Sequence, residues 1–339
     1  MKFGIIGYGG MGSFHAAHIK MVEGFSVKGA YDINPDKHAK VKADGFEVYL
    51  TQEEILADKD IDIIVIATPN NFHKDQSIAA LRAGKHVICE KPVMMNLEEL
   101  DEVIAVSNET GCLFAAHQNR RWDADFRVVK QVKESGTIGK LYYIESRVQG
   151  ANGIPGDWRC EPVAGGGMVY DWGVHLIDQM LLLTDAPLKE VYAHVLKVKY
   201  NVDDNFKLLL TFEDGLRALI EVSTYNFIPL PRWHVSGDAG TMVLDDFNGN
   251  GKIVKANLEK MDYTPGIVYT ASGPTKTMAP RPIETIETMD APKPAPFPDF
   301  KDYYREFAAA IKSGGEAPVT HTQMRNVMKV IEFALGIGK

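Results

Sequence analysis

The chain of 339 residues is long enough for two packed domains, and its 45% hydrophobic and 24% charged residues are typical of globular proteins rather than disordered or fibrous ones. The net charge of −8 comes without a cluster of basic residues, which argues against a nucleic-acid-binding protein. No apolar run approaches the roughly 18 residues that span a bilayer, and the three widely spaced cysteines (Cys89, Cys112, Cys160) predict neither a disulfide framework nor a structural zinc site, so we expect a cytoplasmic protein.

The first third of the chain alternates predicted strands with predicted helices. Short β-branched runs predict strands at residues 2–7, 25–32, 61–68, 86–90 and 113–117, and apolar residues at helical spacing predict helices at 13–23, 53–57, 73–83 and 97–109. The nearly continuous apolar run from Ile61 to Ala67 is typical of a parallel strand covered on both faces. Residues 1–118 are therefore predicted to form an α/β domain built on a doubly wound parallel sheet.

The regular alternation of predicted strands and helices ends near Asn119. Helices are predicted at residues 124–134 and 168–183, and strands at 141–149, 188–200, 206–212, 216–223, 232–237 and 241–244. Because most of these strands follow one another without helices, and residues 213–215 (EDG) form a turn sequence, residues 119–339 are predicted to be an α+β domain with a large, mostly antiparallel open sheet. Residues 264–298, rich in Pro and Thr, predict a long irregular arm, and residues 299–313 and 322–335 predict closing helices that pack back toward the first domain.

A glycine-rich motif lies between the first predicted strand and the first predicted helix. The segment Gly7-Tyr8-Gly9-Gly10-Met11-Gly12 matches GxGxxG. Gly7 permits the tight turn, Gly9 lets the backbone approach a pyrophosphate, and Gly12 lets the helix pack closely on the strand. Because the amides that open the helix then face the phosphates, the motif predicts a dinucleotide site and a Rossmann fold.

Asp32 ends the second predicted strand, 20 residues after Gly12. A carboxylate at this point bonds the adenosine ribose hydroxyls and repels a 2′-phosphate, which favours NAD over NADP. The alternative is that Asp32 caps the turn that runs to Pro35, and the two roles are compatible. Lys37 and His38 lie just beyond and are compatible with NADP.

Two polar segments follow predicted strands at the same edge of the sheet. Thr68, Pro69, Asn70 and His73 follow the strand 61–68, and Glu90-Lys91-Pro92 ends the strand 86–90. Ligands of open α/β sheets bind beyond the carboxyl ends of the strands, so both segments are predicted to line the cofactor crevice. The proline after Lys91 fixes the backbone that aims the lysine. The predicted cofactor-binding residues are thus Gly7, Tyr8, Gly9, Gly10, Met11, Gly12, Asp32, Thr68, Pro69, Asn70, His73, Glu90 and Lys91.

A third segment, GGGMVYDWGVHLID (residues 165–178), carries acid and imidazole groups in a mostly apolar helix. In an α-helix, Asp171, His175 and Asp178 lie on one stripe, at i, i+4 and i+7. A carboxylate beside an imidazole orients the ring and stabilises its cation, which makes a general base near neutral pH. A hydrogen-bonded core pair and a metal site are the alternatives, but no third metal ligand of suitable spacing is evident, and we expect His15 and His18 on the surface.

In this order, GIIGYGGMG, ATPNNFH, EKPV and GGGMVYDWGVHLID resemble the glucose–fructose oxidoreductase/inositol dehydrogenase/MocA (Gfo/Idh/MocA) family over essentially the whole chain. The resemblance implies a nicotinamide cofactor in the first domain, and a substrate pocket and an oligomer face in the second. It implies that Lys91 hydrogen-bonds the reacting hydroxyl, that His175 takes its proton as hydride passes to the nicotinamide, and that Asp171 orients His175. It also implies a cis peptide bond between Lys91 and Pro92.

Polar and aromatic residues around the start of the second domain suit a hydroxyl-rich ring, because Asn and Arg bond hydroxyls and Trp covers a C–H face. The predicted substrate-binding residues are Lys91, Asn119, Arg121, Asn152, Trp158, Arg159, Asp171 and His175. Arg159 also suits the carboxylate of a uronic acid. For Arg120 and Arg121, the alternative is that they are surface charges.

The function expected is that of an NAD-dependent dehydrogenase acting on a secondary alcohol of a sugar, glycoside or cyclitol, or running in reverse as a ketose reductase. The protein is expected to form a homo-oligomer, a dimer or tetramer, through the second sheet, with no nucleic-acid, membrane or metal partner. An NADP-linked aldose or diol oxidoreductase is the first alternative. A non-catalytic dinucleotide-sensing protein on the same scaffold is the second, although such a protein is expected to lack the Lys or the His.

Overall fold

The first 118 residues build a parallel sheet in the computed structural model, which describes residues 1–261, 264–276, 285–295, 297 and 299–337. Its strands are β1 (Lys2–Ile6), β2 (Ser26–Tyr31), β3 (Glu47–Tyr49), β4 (Ile63–Ile66), β5 (His86–Cys89) and β6 (Phe114–Ala116). Among the described residues the sheet has six strands in the order β3-β2-β1-β4-β5-β6. Every residue of β4 is buried, as its continuous apolar sequence predicts.

The helices of this domain are α1 (Gly10–Ile19), α2 (Asp36–Ala43), α3 (Gln52–Ala57), α4 (His73–Arg82) and α5 (Leu97–Thr110). Four of them connect neighbouring parallel strands, and α3 leads from β3 at one edge to β4 beside β1, so the predicted Rossmann architecture is confirmed. The strand order reverses between β1 and β4, which opens a crevice at the carboxyl ends of these strands. Neither α2 nor β3 was predicted from the sequence. The residues of α2 are largely charged or polar, and Val41 is its one buried residue.

The second sheet contains β7 (Leu141–Gln149), β8 (Leu188–Leu196), β9 (Asn205–Phe212), β10 (Arg217–Ser223), β11 (Trp233–Gly237), β12 (Gly240–Leu244) and β13 (Gly251–Ala256). A hairpin of β14 (Ile267–Thr270) and β15 (Gly273–Lys276) follows, and β16 (Ile286–Asp290) returns to the large sheet. Within the described part of the chain, the order is β16-β13-β12-β11-β7-β10-β9-β8. Only the β7–β10 pair in this order is parallel, so the predicted mostly antiparallel sheet is confirmed.

The predicted irregular arm at 264–298 is partly regular. It supplies the β14–β15 hairpin and the edge strand β16, while residues 277–284, 296 and 298 of the arm lie outside the described residues. The strand β13, which was not predicted from the sequence, pairs with β12 on one side and β16 on the other.

The second half of the chain contains the helices α6 (Ala124–Ser135), α7 (Val174–Leu181), α8 (Asp302–Ser313) and α9 (His321–Leu335), and a π-helical turn (Val169–Gly173) precedes α7. Of these helices, α6, α7 and α9 contact the second sheet. The predicted helix at 168–183 is thus a π-helical turn followed by a shorter α-helix. Alternate residues of β9 (Phe206, Leu208, Leu210, Phe212) are buried, which gives the sheet its apolar core face.

The closing helices contact the first domain. The Tyr303 hydroxyl donates to the Ala116 carbonyl at 2.9 Å, and the Glu332 carboxylate accepts from the Leu97 amide at 2.7 Å. These contacts hold α8 and α9 against the cofactor domain. Of the helices in the described ranges, none combines the length and the apolar character that a membrane crossing requires.

Candidate active site

A cavity of about 730 Å³ lies at the crevice between the two halves of the first sheet. Most of the predicted cofactor residues line it: Gly7, Gly9, Gly10, Met11, Asp32, Thr68, Pro69, Asn70, Glu90 and Lys91. Asp157, Trp158 and Arg159 of the second domain close one side. The cavity is therefore shared by both domains and has a size that suits a small organic ligand or cofactor.

The three motif glycines meet three different steric conditions. A Cβ on Gly7 would lie 2.7 Å from the Ala67 carbonyl oxygen, and one on Gly12 would lie 1.9 Å from the Gly7 carbonyl oxygen. Gly7 also has φ +89°, which other residues rarely adopt. Gly9 instead faces open space in the cavity, where an extra side chain would occupy the position of a phosphate. The residues present therefore fit a dinucleotide.

Asp32 accepts two backbone hydrogen bonds at the end of β2. Its Oδ2 accepts from the Tyr8 amide at 2.6 Å, and its Oδ1 accepts from the Asn34 amide at 2.8 Å. The carboxylate thus caps the turn and still lines the cavity, so both predicted roles are sterically compatible. The Tyr8 side chain is buried and donates to Asp44 at 2.8 Å, which leaves only the backbone of Tyr8 near the site.

His73, a predicted cofactor residue, is a buried link inside the first domain. Its Nδ1 lies 2.9 Å from the Pro92 carbonyl and its Nε2 3.0 Å from the Thr68 carbonyl. A neutral imidazole has one N–H, so one of these contacts is a hydrogen bond in that form. Burial above all lowers the pKa of His73. The residue connects the ends of β4 and β5 behind the cavity wall.

Lys91 connects the cofactor domain to the second domain. Its Nζ donates to Asp171 Oδ1 at 2.7 Å and to the Asp171 carbonyl at 3.0 Å. Burial raises the pKa of Asp171, but the charge and hydrogen bond of Lys91 outweigh it, so the pKa lies below the ordinary value. Arg159 Nε lies 3.6 Å from the other carboxylate oxygen of Asp171. The Lys91–Pro92 bond is cis, as the resemblance implied.

His175 is buried at the start of α7. Burial first, and then the charges of Lys91 and Arg120, lower the pKa of its imidazole well below the ordinary value. Its Nδ1 has no hydrogen-bond partner among the described residues. The ring is therefore neutral and has a free nitrogen, as a proton acceptor requires.

The predicted contact between Asp171 and His175 needs a correction. The Asp171 carboxylate is bonded to Lys91 rather than to the imidazole. The physical reason is the π-helical turn at Val169–Gly173, which widens the helix at Asp171 and displaces the α-helical i, i+4 relation. Asp178, the third residue of the predicted stripe, is bound by Arg121.

Arg121 is held inside the second domain. Its guanidinium donates to both Asp178 oxygens at 2.7 and 2.6 Å, and to the Pro318 carbonyl and Gln323 Oε1 at 2.9 Å each. These bonds use four of the five N–H donors of the group and direct it toward Asp178 and α9, and Arg121 is not among the described residues that line the cavity, which argues against its predicted contact with substrate. The neighbouring Arg120 instead lies 4.2 Å over the Trp172 ring, beside His175.

The loop at 150–167 places some predicted substrate residues at the cavity and others away from it. Trp158 and Arg159 line the cavity, and Arg159 also pairs with Asp157 at 2.7 Å. Asn152 is exposed and Asn119 is half-buried, and neither is among the described residues that line the cavity.

The loop is attached to the cofactor domain by one polar side chain. The buried Asn70 amide donates from Nδ2 to the Gly165 carbonyl at 2.8 Å. A predicted cofactor residue therefore also fixes the glycine segment that precedes Asp171.

His15 is buried, which corrects the expectation of a surface position. Its Nε2 lies 2.8 Å from Glu90 Oε1, and His117 Nδ1 lies 2.8 Å from the same oxygen. The three atoms lie within 4.8 Å of one another, a spacing that a metal ion also accepts, but both 2.8 Å contacts have the length of hydrogen bonds. A signal was present in the sequence, since Gly12, His15, Ala16 and Ile19 form a buried stripe at helical spacing.

Two family models match this chain. An oxidoreductase family with an NAD-binding Rossmann fold matches residues 1–118, and a GFO/IDH/MocA C-terminal domain matches residues 126–243. A solved NAD-binding protein from Listeria innocua is 42% identical, with a TM-score of 0.93 over 99% of this chain and 96% of that chain. The chain belongs to the Gfo/Idh/MocA oxidoreductase family.

Two curated relatives are named as inositol dehydrogenases. A scyllo-inositol 2-dehydrogenase (NADP(+)), IolW, from Bacillus subtilis (strain 168) is 29% identical over 347 residues, which cover 100% of this chain and 94% of the relative. A myo-inositol 2-dehydrogenase from Thermotoga maritima is 30% identical over 195 residues, which cover 57% of this chain and 58% of the relative. The chain is thus an NAD(P)-binding oxidoreductase of the Gfo/Idh/MocA family with inositol dehydrogenase relatives.

Proposed function

We propose that this Gfo/Idh/MocA protein is an NAD-dependent dehydrogenase that oxidises a secondary alcohol of a sugar, glycoside or cyclitol. The observation that carries the proposal is the 2.7 Å contact between Lys91 of the cofactor domain and Asp171, which lies four residues before His175. Lys91 lines the cavity, and its amine contacts the carboxylate of Asp171 and lowers the pKa of His175; Asp171 and His175 themselves are not among the described residues that line the cavity. The names of the inositol dehydrogenase relatives support the polyol class.

The residues divide the proton chemistry among them. The nicotinamide, when bound, accepts the hydride from the alcohol carbon. The Lys91 ammonium donates a hydrogen bond to the substrate oxygen and stabilises the negative charge that develops there. His175 accepts the hydroxyl proton, and we assign this role to Nδ1 because that atom has no partner among the described residues. Asp171 holds the Lys91 amine in place.

The test is to compare His175→Ala and Lys91→Met with wild type on a panel of polyols. Each variant is expected to lose at least about a hundredfold in turnover, since general acid–base groups contribute about 10²–10⁴-fold, while NAD binding measured by fluorescence titration is retained. Lys130→Met, which removes an exposed lysine on α6, is the matched control for the loss of a lysine. Full activity in His175→Ala would remove that residue from the mechanism.

A non-catalytic dinucleotide sensor is the second candidate. The same titration distinguishes it, since such a protein binds NAD and transfers no hydride to any polyol in the panel. The Lys91–Asp171 pair and His175, whose Nδ1 has no hydrogen-bond partner in the described part of the chain, favour the enzyme, because a binding protein has no need of a buried neutral base at this point.

We propose NAD rather than NADP as the preferred cofactor because the Asp32 carboxylate lines the cavity at the end of β2 and would repel a 2′-phosphate. The NADP(+) named for the Bacillus relative is the reason to test this directly. Asp32→Ala is expected to lower the ratio of NAD affinity to NADP affinity. An unchanged ratio would show that Asp32 does not set the preference.

We also propose a homo-oligomer that assembles through the open face of the second sheet, in a cytoplasmic location. Tyr192 and Leu196 of β8 point to the same face and are 65% and 43% exposed. Light scattering after size-exclusion chromatography is expected to give a dimer or tetramer that Tyr192→Glu dissociates; a monomeric wild type would refute this assembly. The free thiols of Cys89, Cys112 and Cys160 support a reducing compartment.

A further inference from the structure

A buried carboxylate lies next to Lys91 and has no part in the proton transfer described above. Glu90 Oε1 is the shared acceptor of His15 Nε2 and His117 Nδ1, each at 2.8 Å. The side chains of these three residues are 7%, 0% and 2% exposed. They come from the end of β5, from α1 and from the segment after β6, so the tertiary fold alone assembles the cluster.

The contacts around His15 define its tautomer. The Tyr304 hydroxyl lies 2.8 Å from His15 Nδ1, and a phenol that donates to Nδ1 leaves the imidazole proton on Nε2, facing Glu90. Burial, above all, lowers the pKa of His15 to about 4, so the ring is neutral at pH 7. His15 therefore supplies Glu90 with a hydrogen bond and no positive charge.

Glu90 itself is ionised. Burial raises the pKa of its carboxyl group, but His117 and the hydrogen bonds of both imidazoles outweigh burial and hold the pKa well below the ordinary value. Its other oxygen accepts from the Lys91 amide at 3.3 Å. Among the described residues, neither a lysine nor an arginine side chain forms an ion pair with it. Tyr303 and Tyr304 pack on the His117 ring and exclude water from the cluster.

The strand order places this charge at one end of the cavity. Asp32 follows β2, on one side of the β1–β4 crevice, and Glu90 follows β5, on the other. A dinucleotide that crosses such a crevice puts its adenosine half near β2 and its nicotinamide half near β4 and β5. Glu90 therefore lies at the nicotinamide end, together with Lys91.

We propose that the Glu90 carboxylate discriminates between the two redox forms of the cofactor, by favouring the cationic nicotinamide of NAD⁺ over the neutral ring of NADH. The proposal rests on the proposed function. A fixed negative charge attracts the oxidised ring and has little effect on the reduced one, so it changes the ratio of the two affinities rather than both equally. His15, His117 and Tyr304 are positioning residues that keep this charge in place.

The test measures the dissociation constants of NAD⁺ and NADH separately, by calorimetry on the intact protein. Glu90→Gln removes the charge and keeps the shape, and it is expected to lower the ratio Kd(NADH)/Kd(NAD⁺) by about tenfold, which corresponds to about 30 mV in the potential of the bound couple. Glu90→Asp keeps the charge and is expected to hold the ratio within about threefold of wild type. Asp32→Asn is the matched loss of a charge at the adenosine end. It is expected to weaken the binding of both NAD⁺ and NADH and to leave the ratio of their dissociation constants unchanged within about twofold.

A ratio in Glu90→Gln within about twofold of wild type would overturn the proposal. If the wild-type protein binds neither NAD⁺ nor NADH, the proposed function is refuted instead. If Glu90→Gln does not fold, Lys91→Met gives a second measurement, because removal of a positive charge from the same end is expected to raise the ratio. A fall or no change in Lys91→Met would then overturn the proposal.

Discussion

Arg121→Ala separates a structural role of this arginine from the substrate contact that its sequence position suggested. The guanidinium forms a bidentate ion pair with Asp178 at 2.7 and 2.6 Å, and the two side chains are 9% and 4% exposed. It also donates hydrogen bonds to the Pro318 carbonyl and to Gln323 Oε1. Pro318 precedes α9, and Gln323 lies within it. The substitution therefore leaves a buried carboxylate on α7 without a counter-charge.

The magnitude follows from this geometry. Removal of one partner of a buried ion pair costs about 3–5 kcal/mol, since the remaining charge is uncompensated. For a chain of 339 residues, an unfolding entropy of about 2.1 cal/mol/K per residue converts this loss into a fall in Tm of roughly 4–7 °C. Arg121→Ala combined with Asp178→Leu removes both charges and is expected to recover much of this loss.

The assay is thermal unfolding by circular dichroism, together with steady-state kinetics on the folded protein at 25 °C. We expect the fall in Tm and a KM close to that of wild type, because Arg121 is directed toward Asp178 and α9 and is not among the described residues that line the cavity. Arg120→Ala is the matched comparison, since it removes the adjacent arginine, which lies over Trp172. An unchanged Tm with a KM raised at least about tenfold would refute the structural role and restore Arg121 to the substrate pocket.

Three further predictions follow from the geometry. Arg120→Gln removes a charge that lowers the pKa of His175, so the acidic limb of the kcat/KM profile for alcohol oxidation is expected to move to higher pH. An unmoved limb would exclude Arg120 as a cause. Burial raises the pKa of Asp203 from 3.8 to about 7, so between these pH values the folded state retains a proton that the unfolded state has released, and stability falls as pH rises. Urea unfolding of Asp203→Asn is expected to lack this fall in stability. The same pH profile in the variant and the wild type would contradict the prediction. Gly12→Ala puts a Cβ 1.9 Å from the Gly7 carbonyl oxygen, whereas the Cβ of Gly10→Ala meets open space. Only the first variant is therefore expected to lower Tm, and an equal fall in Tm in both would disprove the packing argument.

The sequence predicted the first domain well because its signals are local. The glycine motif joins a strand directly to a helix, and the apolar run of β4 is typical of a parallel strand with both faces buried. Strand ends in such a sheet lie at one edge, so Thr68, Asn70, Glu90 and Lys91 were predicted at the cavity that they line. The charged α2 carried no such signal, since a helix with one buried residue has no apolar stripe to detect.

Tertiary structure decided which polar groups meet. Arg120 and Arg121 are identical and adjacent, yet one lies over Trp172 beside His175 and the other is held by Asp178, because the turn Asn119–Trp122 points them in different directions. The pairing of Lys91 with Asp171 and the burial of His15 against Glu90 likewise join segments about 80 residues apart. Periodicity reports the face of an element on which a residue lies, whereas the partner opposite that face depends on how separate elements pack, and no local pattern contains that information.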